Sequence, residues 1–459
     1  INHYLFLIVM KQMIRNFSEL ARSKAHENAL KIIEAGLIAA DPAKAIKDRI
    51  KLQNGKLFVN NTGYDISKGV KVIGIGKASA VMAKAIEDIL GDLVVDGAVI
   101  IPKGFNAPNL RRIKILYGNH PLPDDSTLKA TNEVLNICRH SKEDDIFIVL
   151  ISGGGSALFE LPQEPISIDD LIDVTSLLLK CGADIKEINT VRKHISIVKG
   201  GQLLRFVNAR WILSLIISDV VGDPLEFIAS GPTVPDTTTF RDAYEVLVKR
   251  NLWDKVPRSV RSHIKNGVEG KVPETPKPGD PLFRNVENVL VASNKMCLEV
   301  MARKAKELGY KPIILTPFIE GEAKDVGKVL ASIVMSIVRL GYPFKPPIAI
   351  LAGGETTVTV RGNGIGGRNQ ELCLSMSLKL CGINYVAICI GSDGIDGVSP
   401  AAGAIIDGDV CNEARVLNLN LPHMLENNDS YGAFSKLKRA IITGYTGTNV
   451  NDFIIILIK

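Results

Sequence analysis

Four glycine-rich segments carry charged or hydroxyl side chains, and an apolar stretch typical of a β-strand precedes each of them. These segments are Gly74–Ser79, Ile151–Ala157, Leu351–Glu371 and Gly391–Gly397. In open α/β sheets, ligands bind beyond the carboxyl ends of the strands, where helix N-termini offer unpaired N–H donors. We therefore expect the functional groups of this protein to lie in these four segments.

The first segment places Lys77 at the expected start of a helix. It is not a Walker A loop, because Lys71 and Ala78 stand where that motif needs glycine and serine or threonine. It also departs from the dinucleotide fingerprint, because position 79 is serine and the next strand ends in Pro102 without a nearby acid. A lysine here opposes the helix dipole, which indicates that an anion shares the site. The alternative is an exposed lysine in a first helical turn.

The second segment exposes successive backbone N–H groups that no side chain obstructs. Such a run is suited to cradle a phosphate, whereas a merely tight turn would need one glycine. We predict phosphate or nucleotide contacts from Gly153, Gly154, Gly155 and Ser156.

The third segment combines glycines with Arg368, which stands where a glycine loop meets the start of a predicted helix at 369–381. A guanidinium there can make bidentate hydrogen bonds to a phosphate or a carboxylate. A flexible loop with a solvated arginine is the alternative. Further phosphate or nucleotide contacts are predicted from Gly353, Gly354, Glu355, Thr356 and Asn369.

Acids at strand ends supply the remaining chemistry. Asp219 and Asp393 each follow an apolar strand, where a carboxylate can hold Mg²⁺ or accept the proton of a hydroxyl group. We predict both as catalytic residues or metal ligands, and Asp396 as a residue that orients or shares the ion. An ordinary Asp-Gly turn is the alternative for Asp393. An EF-hand is excluded, because the alternating acids and the final glutamate are missing.

Three polar residues are candidates for the substrate pocket: Ser79, His120 and Lys193. His120 lies in a proline-locked loop after a strand, and Lys193 lies on a predicted helix. The alternatives are a loop histidine with an ordinary hydrogen bond and a polar helix face.

Short β-branched runs alternate with helical patterns from Lys71 onward, which is typical of a parallel sheet covered on both faces. We predict an N-terminal doubly wound domain with strands at 71–76, 97–102, 113–117, 145–151 and 211–217 and helices near 78–91, 126–139, 167–181, 185–206 and 238–250. Glycine, proline, lysine and glutamate dominate residues 265–285, so a boundary is predicted there. The predicted domains are 13–284 and 285–459, both α/β, and 453–459 is predicted as a buried strand.

Composition narrows the class of protein. The chain has 459 residues, 46% of them hydrophobic, and its net charge of +6 arises from 55 basic and 49 acidic residues spread along its length. No basic arm indicates nucleic-acid binding. Seven cysteines without a CxxC pair predict reduced thiols and a cytoplasmic protein.

The first residues are expected to be neither signal nor membrane anchor. His3–Met10 is apolar but too short to span a bilayer, and it lacks the features of a signal peptide. A first helix capped by Asn16, with Glu19 three positions on, follows at once. We expect Met13 to be the natural start.

Several motifs resemble, in order and spacing, the type II glycerate kinases with a MOFRL C-terminal domain. They are Ser152–Ser156, Asn189–His194, Ser230–Thr233, Gly353–Thr357, Gly366–Glu371, Asp393–Asp396 and Thr446–Asp452. The resemblance covers residues 13–459. It implies a Rossmann-like N-terminal domain, a MOFRL-type domain with a mixed sheet and an active site in the cleft between the two domains.

The same resemblance implies ATP-dependent phosphorylation of D-glycerate to 2-phosphoglycerate, with Lys77 and Arg368 as the principal catalytic pair and with ATP and Mg²⁺ as cofactors. Phosphoryl transfer needs cations on the phosphates, a metal ion and a proton acceptor. The expected partners are glycerate and a nucleotide, without nucleic acid or membrane, and with a homodimer as an open alternative.

Two rival functions follow from the same residues. An NAD(P)H-dependent hydroxypyruvate reductase is opposed by the missing acid after the second strand, although some family members have carried that name. A non-enzymatic anion-binding or regulatory protein is opposed by the intact Lys77, Arg368 and Asp393.

Overall fold

The computed structural model describes residues 12–459, so His3–Met10 lies outside the described residues. The described chain forms two units: an N-terminal unit of residues 42–293, and a C-terminal unit that combines residues 12–41 with 294–459. Among residues 12–459, none of the helices has the length and apolar character that a membrane crossing requires. Residues 12–41 contain α1 (Phe17–Leu20) and α2 (Lys24–Ala39).

The N-terminal unit contains eight helices and nine strands between residues 42 and 293. The helices are α3 (Pro42–Arg49), α4 (Ser79–Leu90), α5 (Asp125–Arg139), α6 (Gly155–Leu158), α7 (Ile168–Lys180), α8 (Ile185–Lys193), α9 (Phe240–Lys249) and α10 (Arg258–Val268). The strands are β1 (Ile50–Gln53), β2 (Lys56–Val59), β3 (Thr62–Asp65), β4 (Val70–Ile75), β5 (Val94–Pro102), β6 (Lys114–Gly118), β7 (Ile146–Ile151), β8 (Trp211–Ile217) and β9 (Val286–Ala292).

Six of these strands form one parallel sheet in the order β6-β5-β4-β7-β8-β9. Counted along the chain from β4, this is the order 3-2-1-4-5-6 of a doubly wound dinucleotide-type fold. The predicted fold class of this domain is therefore confirmed. The order reverses between β4 and β7, which is where such sheets open a crevice for ligands. The small strands β1 to β3 form a separate antiparallel sheet that the sequence did not reveal.

Both faces of the parallel sheet are covered. On one face, Ile73, Ile75 and Val149 belong to one buried cluster with Val134 and Leu135 of α5. On the other face α4 comes close to β4, because Gly74 has no side chain and a Cβ there would lie 3.2 Å from the Cβ of Ser79. Helices α7 to α10 pack around a second apolar cluster of their own.

The C-terminal unit is built on a mixed sheet. Its remaining helices are α11 (Asn294–Glu307), α12 (Ala323–Leu340), α13 (Arg368–Lys379), α14 (Val410–Val416), α15 (Leu421–Glu426) and α16 (Ser430–Lys436). Its strands are β10 (Lys311–Ile319), β11 (Ile348–Gly354), β12 (Val386–Gly391), β13 (Gly403–Asp407), β14 (Ala440–Ile441) and β15 (Asp452–Ile458), in the order β10-β11-β15-β12-β13-β14.

Strand β15 lies between β11 and β12 in this sheet. It runs antiparallel to both β11 and β12, and its first residue, Asp452, is paired with Gly354 and with Gly391. All seven of its residues are buried, as predicted for the end of the chain. The carboxyl ends of β11 and β12 and the amino end of β15 therefore meet at one edge of the sheet.

The division into units differs from the boundary predicted at 284/285. Strand β9 pairs with β8, with Ile212 opposite Val286, so residues 286–292 complete the first sheet. The proline-rich stretch 272–281 is thus a connection within the N-terminal unit. At the other end, α2 packs closely on α11, where a Cβ on Gly36 would lie 2.7 Å from the sulfur of Met301.

Three local expectations need correction. Asn16 stands at the N-cap position of α1 as predicted, but its side chain does not cap the helix: its Nδ2 donates to the carbonyl of Ala440 at 2.9 Å and its Oδ1 accepts the N–H of Ile442 at 3.0 Å. The helix predicted at 185–206 ends at Lys193, and the chain then turns through two glycines with positive φ at 200 and 201. Cys381 and Cys411, 30 residues apart, form a disulfide, so the expectation of seven free thiols is wrong for this pair.

A buried arginine joins residues 12–41 to the rest of the C-terminal unit. Arg439 is fully buried and bonds to Asp407 at 2.8 Å and to Glu413 at 2.9 Å. Two side chains of the N-terminal segment share the same carboxylates: His26 meets Asp407 at 2.9 Å and Arg22 meets Glu413 at 2.9 Å. One buried guanidinium therefore bridges two acids that also fasten the first helices.

Replacing Arg439 with alanine should lower the free energy of unfolding by about 3–5 kcal/mol, because two carboxylates lose their buried cation. Arg22→Ala is the matched control, since it removes a surface partner of Glu413 and should cost about 1 kcal/mol. Urea unfolding followed by circular dichroism measures both losses. Equal losses in the two variants would contradict this role of Arg439.

Candidate functional site

The glycine turns that follow β4 and β7 are bonded to each other at the point where the strand order reverses. The N–H of Lys77 donates to the carbonyl of Gly153 at 2.9 Å, and the N–H of Ala78 donates to the hydroxyl of Ser152 at 3.1 Å. A Cβ on Gly76 would overlap Ser152, so the close approach requires glycine there. The structure thus brings the first two predicted segments into one site.

The second turn offers free backbone donors. Within residues 12–459, the N–H groups of Gly153 and Gly154 have no hydrogen-bond acceptor, and both residues are partly exposed. Gly154 has a φ of +83°, a conformation that favours glycine. Successive free N–H groups in such a turn form a concave site for an anion.

Three predicted side chains lie against this turn. A Cβ on Gly154 would lie 3.3 Å from Cε of Lys77 and 3.2 Å from Cδ2 of His120, and a Cβ on Gly153 would overlap the carboxylate of Asp219. Burial, and then the charge of Lys77, lower the pKa of His120, so its ring is neutral at physiological pH. The site therefore contains a cation, a neutral imidazole and a carboxylate around free N–H donors.

A strained segment supports the turn from another side. Ala229, Ser230 and Gly231 all have φ between +51° and +61°, which is unusual for residues other than glycine. The hydroxyl of Ser230 lies 2.9 Å from that of Ser156, and a Cβ on Gly155 would lie 2.6 Å from the Cβ of Ala229. Sequence reasoning gave Ala229 no role, because no local pattern predicts an alanine in the left-handed conformation.

Two predicted pocket residues have structural roles instead. Ser79 is fully buried, and its hydroxyl donates to the carbonyl of Gly76 at 2.8 Å. Lys193 is 1% exposed and pairs with Glu226 at 3.1 Å and Asp236 at 3.4 Å. Neither side chain reaches the turn, because each is held by partners within the fold.

A second cluster of charges lies in the C-terminal unit, at the edge where β11, β12 and β15 meet. Arg368 donates to both carboxylate oxygens of Asp452, at 2.6 and 3.0 Å, and to Glu355 at 2.9 Å. Glu355 also accepts a bond of 3.1 Å from the amide of Asn451. The guanidinium is thus oriented by a bidentate partner and shared with a second acid.

The pKa values in this cluster reflect burial and pairing. Burial raises the pKa of Asp452 and of Glu355, and the charge of Arg368 offsets part of each effect. Burial, the largest single effect, lowers the pKa of Arg368, but its bonds to Asp452 and the charges of Asp452 and Glu355 together outweigh burial and raise that pKa. Arg368 therefore stays a cation.

Asp396 caps the helix that carries Arg368. Its buried carboxylate accepts the backbone N–H of Asn369 at 3.0 Å and of Gln370 at 2.9 Å, together with both side-chain amides. Burial, partly offset by these bonds, raises the pKa of Asp396 to about 6. In the structure, Asn369 and Asp396 fix the start of α13, and their predicted contacts with nucleotide and metal ion stay predictions.

The glycines of the third segment are explained by packing. A Cβ on Gly353 would overlap Asn294, and one on Gly354 would overlap the carbonyl of Ile319. Thr356 is 5% exposed. The structure does not bring an open cradle to Gly353, Gly354 or Thr356.

The glycine loop before Arg368 packs in the same way. A Cβ at any of three positions would overlap residues 427–430: Gly362, Gly364 and Gly366. On Gly367 it would overlap the backbone of Asp396. This loop is a close backbone contact between two segments, which sequence alone could not separate from a phosphate loop.

The positions of the acidic side chains show where Mg²⁺ could bind. Among residues 12–459, no three His, Cys, Asp or Glu side chains are grouped to hold a metal ion. Mg²⁺ usually takes only one or two protein carboxylates and fills its remaining positions with substrate phosphates and water. Asp219, beside the free N–H groups of the turn, fits that pattern. Asp393 accepts the N–H of Ile395 at 3.1 Å, which orders its own turn.

Sequence reasoning did not select Asp452. It is separated from Arg368 by 84 residues, so no local motif joins the two. The available signal was an acid placed directly before the apolar run 453–458, where a buried strand begins.

Proteins similar to this chain include two with kinase names. Residues 28–265 match the family described as a domain of unknown function, DUF4147, and residues 348–452 match the MOFRL family. A Pyrococcus horikoshii protein named glycerate 2-kinase is 46% identical over 94% of this chain and 97% of its own. The crystal structure of glycerate kinase from Thermotoga maritima is similar with a TM-score of 0.85 and 38% identity, over 94% of this chain and 99% of that chain. An Agrobacterium vitis protein with the provisional name hydroxypyruvate reductase is 39% identical over 93% of each chain.

The two kinds of glycine should respond differently to substitution. Gly367→Ala should cost about 1–3 kcal/mol of stability, because its Cβ meets backbone that cannot move alone. Gly153→Ala should cost less than about 1 kcal/mol, since its Cβ meets the end of the Asp219 side chain, which can rotate away. Thermal unfolding of both variants measures the difference. A larger loss for Gly153→Ala would contradict this account.

Proposed function

The chain belongs to the glycerate kinase family that combines the DUF4147 and MOFRL domains, and on that premise we propose that it phosphorylates D-glycerate to 2-phosphoglycerate with ATP. The observation that carries the proposal is the site at the reversal of strand order. There, the free N–H groups of Gly153 and Gly154 lie beside Lys77. A phosphate is the anion that such a site accommodates best.

Each polar group of the N-terminal site has a proposed task. The turn from Gly153 to Ser156 binds phosphate oxygens, and Lys77 neutralises charge on the transferred group. Asp219 and nucleotide phosphates hold Mg²⁺, which when bound neutralises the charge of those phosphates. Neutral His120 lies within reach of the same turn and contacts the substrate.

Arg368 supplies a second cation, because an anion can replace one of its two carboxylate partners. Only 6% of the Asp452 side chain is exposed, whereas 46% of the Glu355 side chain is exposed. We infer that Asp452 keeps the guanidinium oriented while an anionic oxygen of the substrate or nucleotide takes the place of Glu355. Asp393, at the end of β12, is the proposed acceptor of the hydroxyl proton. The site between the domains that the sequence predicts stays a prediction.

In the proposed reaction, the oxygen of the glycerate C2 hydroxyl attacks the γ-phosphorus of ATP. The bond from that phosphorus to the bridging oxygen breaks, ADP leaves, and the hydroxyl proton passes to a carboxylate. The protein mainly positions the two reactants and neutralises charge.

The structure does not support the rival reductase at the position where the ribose of a dinucleotide would bind. A dinucleotide site of this fold uses an acid after the second strand to bind the ribose. Here β5 ends in Pro102, and Lys103 follows it and pairs with Asp124 at 2.7 Å. A cation at that position cannot accept hydrogen bonds from the ribose hydroxyls of NADH.

Two assays on the purified protein distinguish these functions. We expect ADP formation that depends on D-glycerate and Mg²⁺, with phosphorus NMR identifying 2-phosphoglycerate as the product. Oxidation of NADH with hydroxypyruvate, without ADP formation from glycerate, would favour the reductase. Thermal stabilisation by nucleotide without either turnover would favour a binding protein.

Replacing Lys77 or Arg368 with alanine should lower kcat/KM by about 10²–10⁴, as loss of a preorganised charge does. Lys68→Ala is the control, because the Lys68 side chain is 73% exposed and pairs with Asp144 on the surface. Coupled measurement of ADP release gives kcat and KM for each variant. Turnover near that of the control in both variants would remove these assignments.

A further inference from the structure

Two cations, buried Lys199 and partly buried Arg192, converge on one carbonyl at the end of the phosphate turn. The carbonyl of Ser156 accepts a bond of 2.8 Å from Nη2 of Arg192 and another of 2.8 Å from Nζ of Lys199. Lys199 also donates to the carbonyl of Phe159 at 2.9 Å. Charge-assisted bonds of this kind are about twice as strong as neutral ones, so the peptide groups of α6 are firmly oriented.

A single carboxylate accompanies the two cations. Glu160 is fully buried and lies 3.1 Å from Arg192 and 3.2 Å from Lys199. With all three groups ionised, the cluster carries a net charge of +1 beneath the turn that offers free N–H groups. An unneutralised positive charge in a buried place stabilises an anion nearby more than the same charge in water would.

We propose that Lys199 is a positioning residue for phosphate binding: through the carbonyl of Ser156 it holds the turn Gly153–Ser156 in its binding conformation and supplies the positive charge behind it. The inference rests on the proposed function and deepens it. Lys199 touches neither reactant, and acts through the turn.

A buried ion cluster is not by itself evidence of a stabilising role, because replacing all of its members by apolar residues of similar volume is often neutral or stabilising. The cluster is instead joined directly to the residues that follow Gly153 and Gly154. Ser230 meets Ser156 at the same place through its hydroxyl, so the turn is held from two sides.

The protonation of Lys199 gives the proposal a specific signature. Burial, partly offset by the charge of Glu160, lowers the pKa of Lys199 to about 8. The charged groups facing Lys199 are Glu160 and Arg192, while Lys193 and Asp236 lie against the next residue, Gly200. Above pH 8 the free protein loses this charge, and a bound phosphate favours its retention. Binding of an anion should therefore weaken as the pH rises through 8.

The experiment measures the affinity for Mg·ADP by titration calorimetry between pH 7 and pH 9.5 on the full chain. For the wild type we expect affinity to fall about three- to tenfold over this range, as linkage to one proton allows. Lys199→Arg keeps its charge throughout, so its affinity should stay level. Lys199→Met should raise KM for ATP and lower kcat/KM by about 10- to 100-fold, the size of effect that supporting residues typically have.

Lys71→Arg is the matched control, because Lys71 is a partly buried lysine paired with Asp145 at the opposite end of β4. It should keep the wild-type pH profile. If Lys199→Arg does not fold, Glu160→Gln replaces it. Loss of that carboxylate removes the group that holds the pKa of Lys199 up, so the fall in affinity should move to lower pH.

A level wild-type profile, or the same fall in Lys199→Arg as in the wild type, would overturn the inference. An unmoved profile in Glu160→Gln would overturn it too. Absence of both Mg·ADP binding and glycerate-dependent ADP formation in the wild type would instead reject the proposed function, so the two failures are distinguishable.

Discussion

The parallel pairing of β4 with β7 is the constraint on which the candidate site depends. Its register runs from Lys71 opposite Phe147 to Ile75 opposite Ile151, so the two strands end at the same level. The following turns can then bond to each other, as Lys77 does to Gly153. Because the strand order reverses here, the chain leaves in opposite directions from the two strands and the turns remain open to ligands.

Charge is arranged in opposite ways in the two units. In the N-terminal unit, the free N–H groups and Lys77 lie where we propose that an anion binds, and Arg192 and Lys199 add positive charge behind them. In the C-terminal unit, Arg368 is held by two carboxylates, Asp452 and Glu355. The first site therefore leaves two N–H donors unpaired, whereas the second pairs its cation with two acids.

The sequence predicted what depends on local pattern. Alternating strands and helices, the parallel sheet, the glycine turn at Ser152 and its neighbour Lys77 all follow from composition and spacing. The sequence did not predict contacts between residues that are far apart in the chain. The partner of Arg368 is 84 residues away, and Cys381 meets Cys411 across 30 residues of chain. The packing of residues 12–41 with the C-terminal unit also depends on contacts between distant parts of the chain, so the sequence did not predict it.

The glycine-rich segments show most clearly why the role of a segment could not be predicted from its sequence. The turn at Gly153 and Gly154 and the loop from Gly362 to Gly367 look alike as strings, yet the missing Cβ has a different neighbour in each. At the first turn the neighbours are the ends of Asp219, Lys77 and His120, side chains that a ligand can displace. At the second the neighbours are mostly backbone atoms of residues 427–430 and Asp396. Where a glycine faces the ends of polar side chains, those side chains can move and leave room for a ligand. Where a glycine faces backbone, the protein itself already occupies the space.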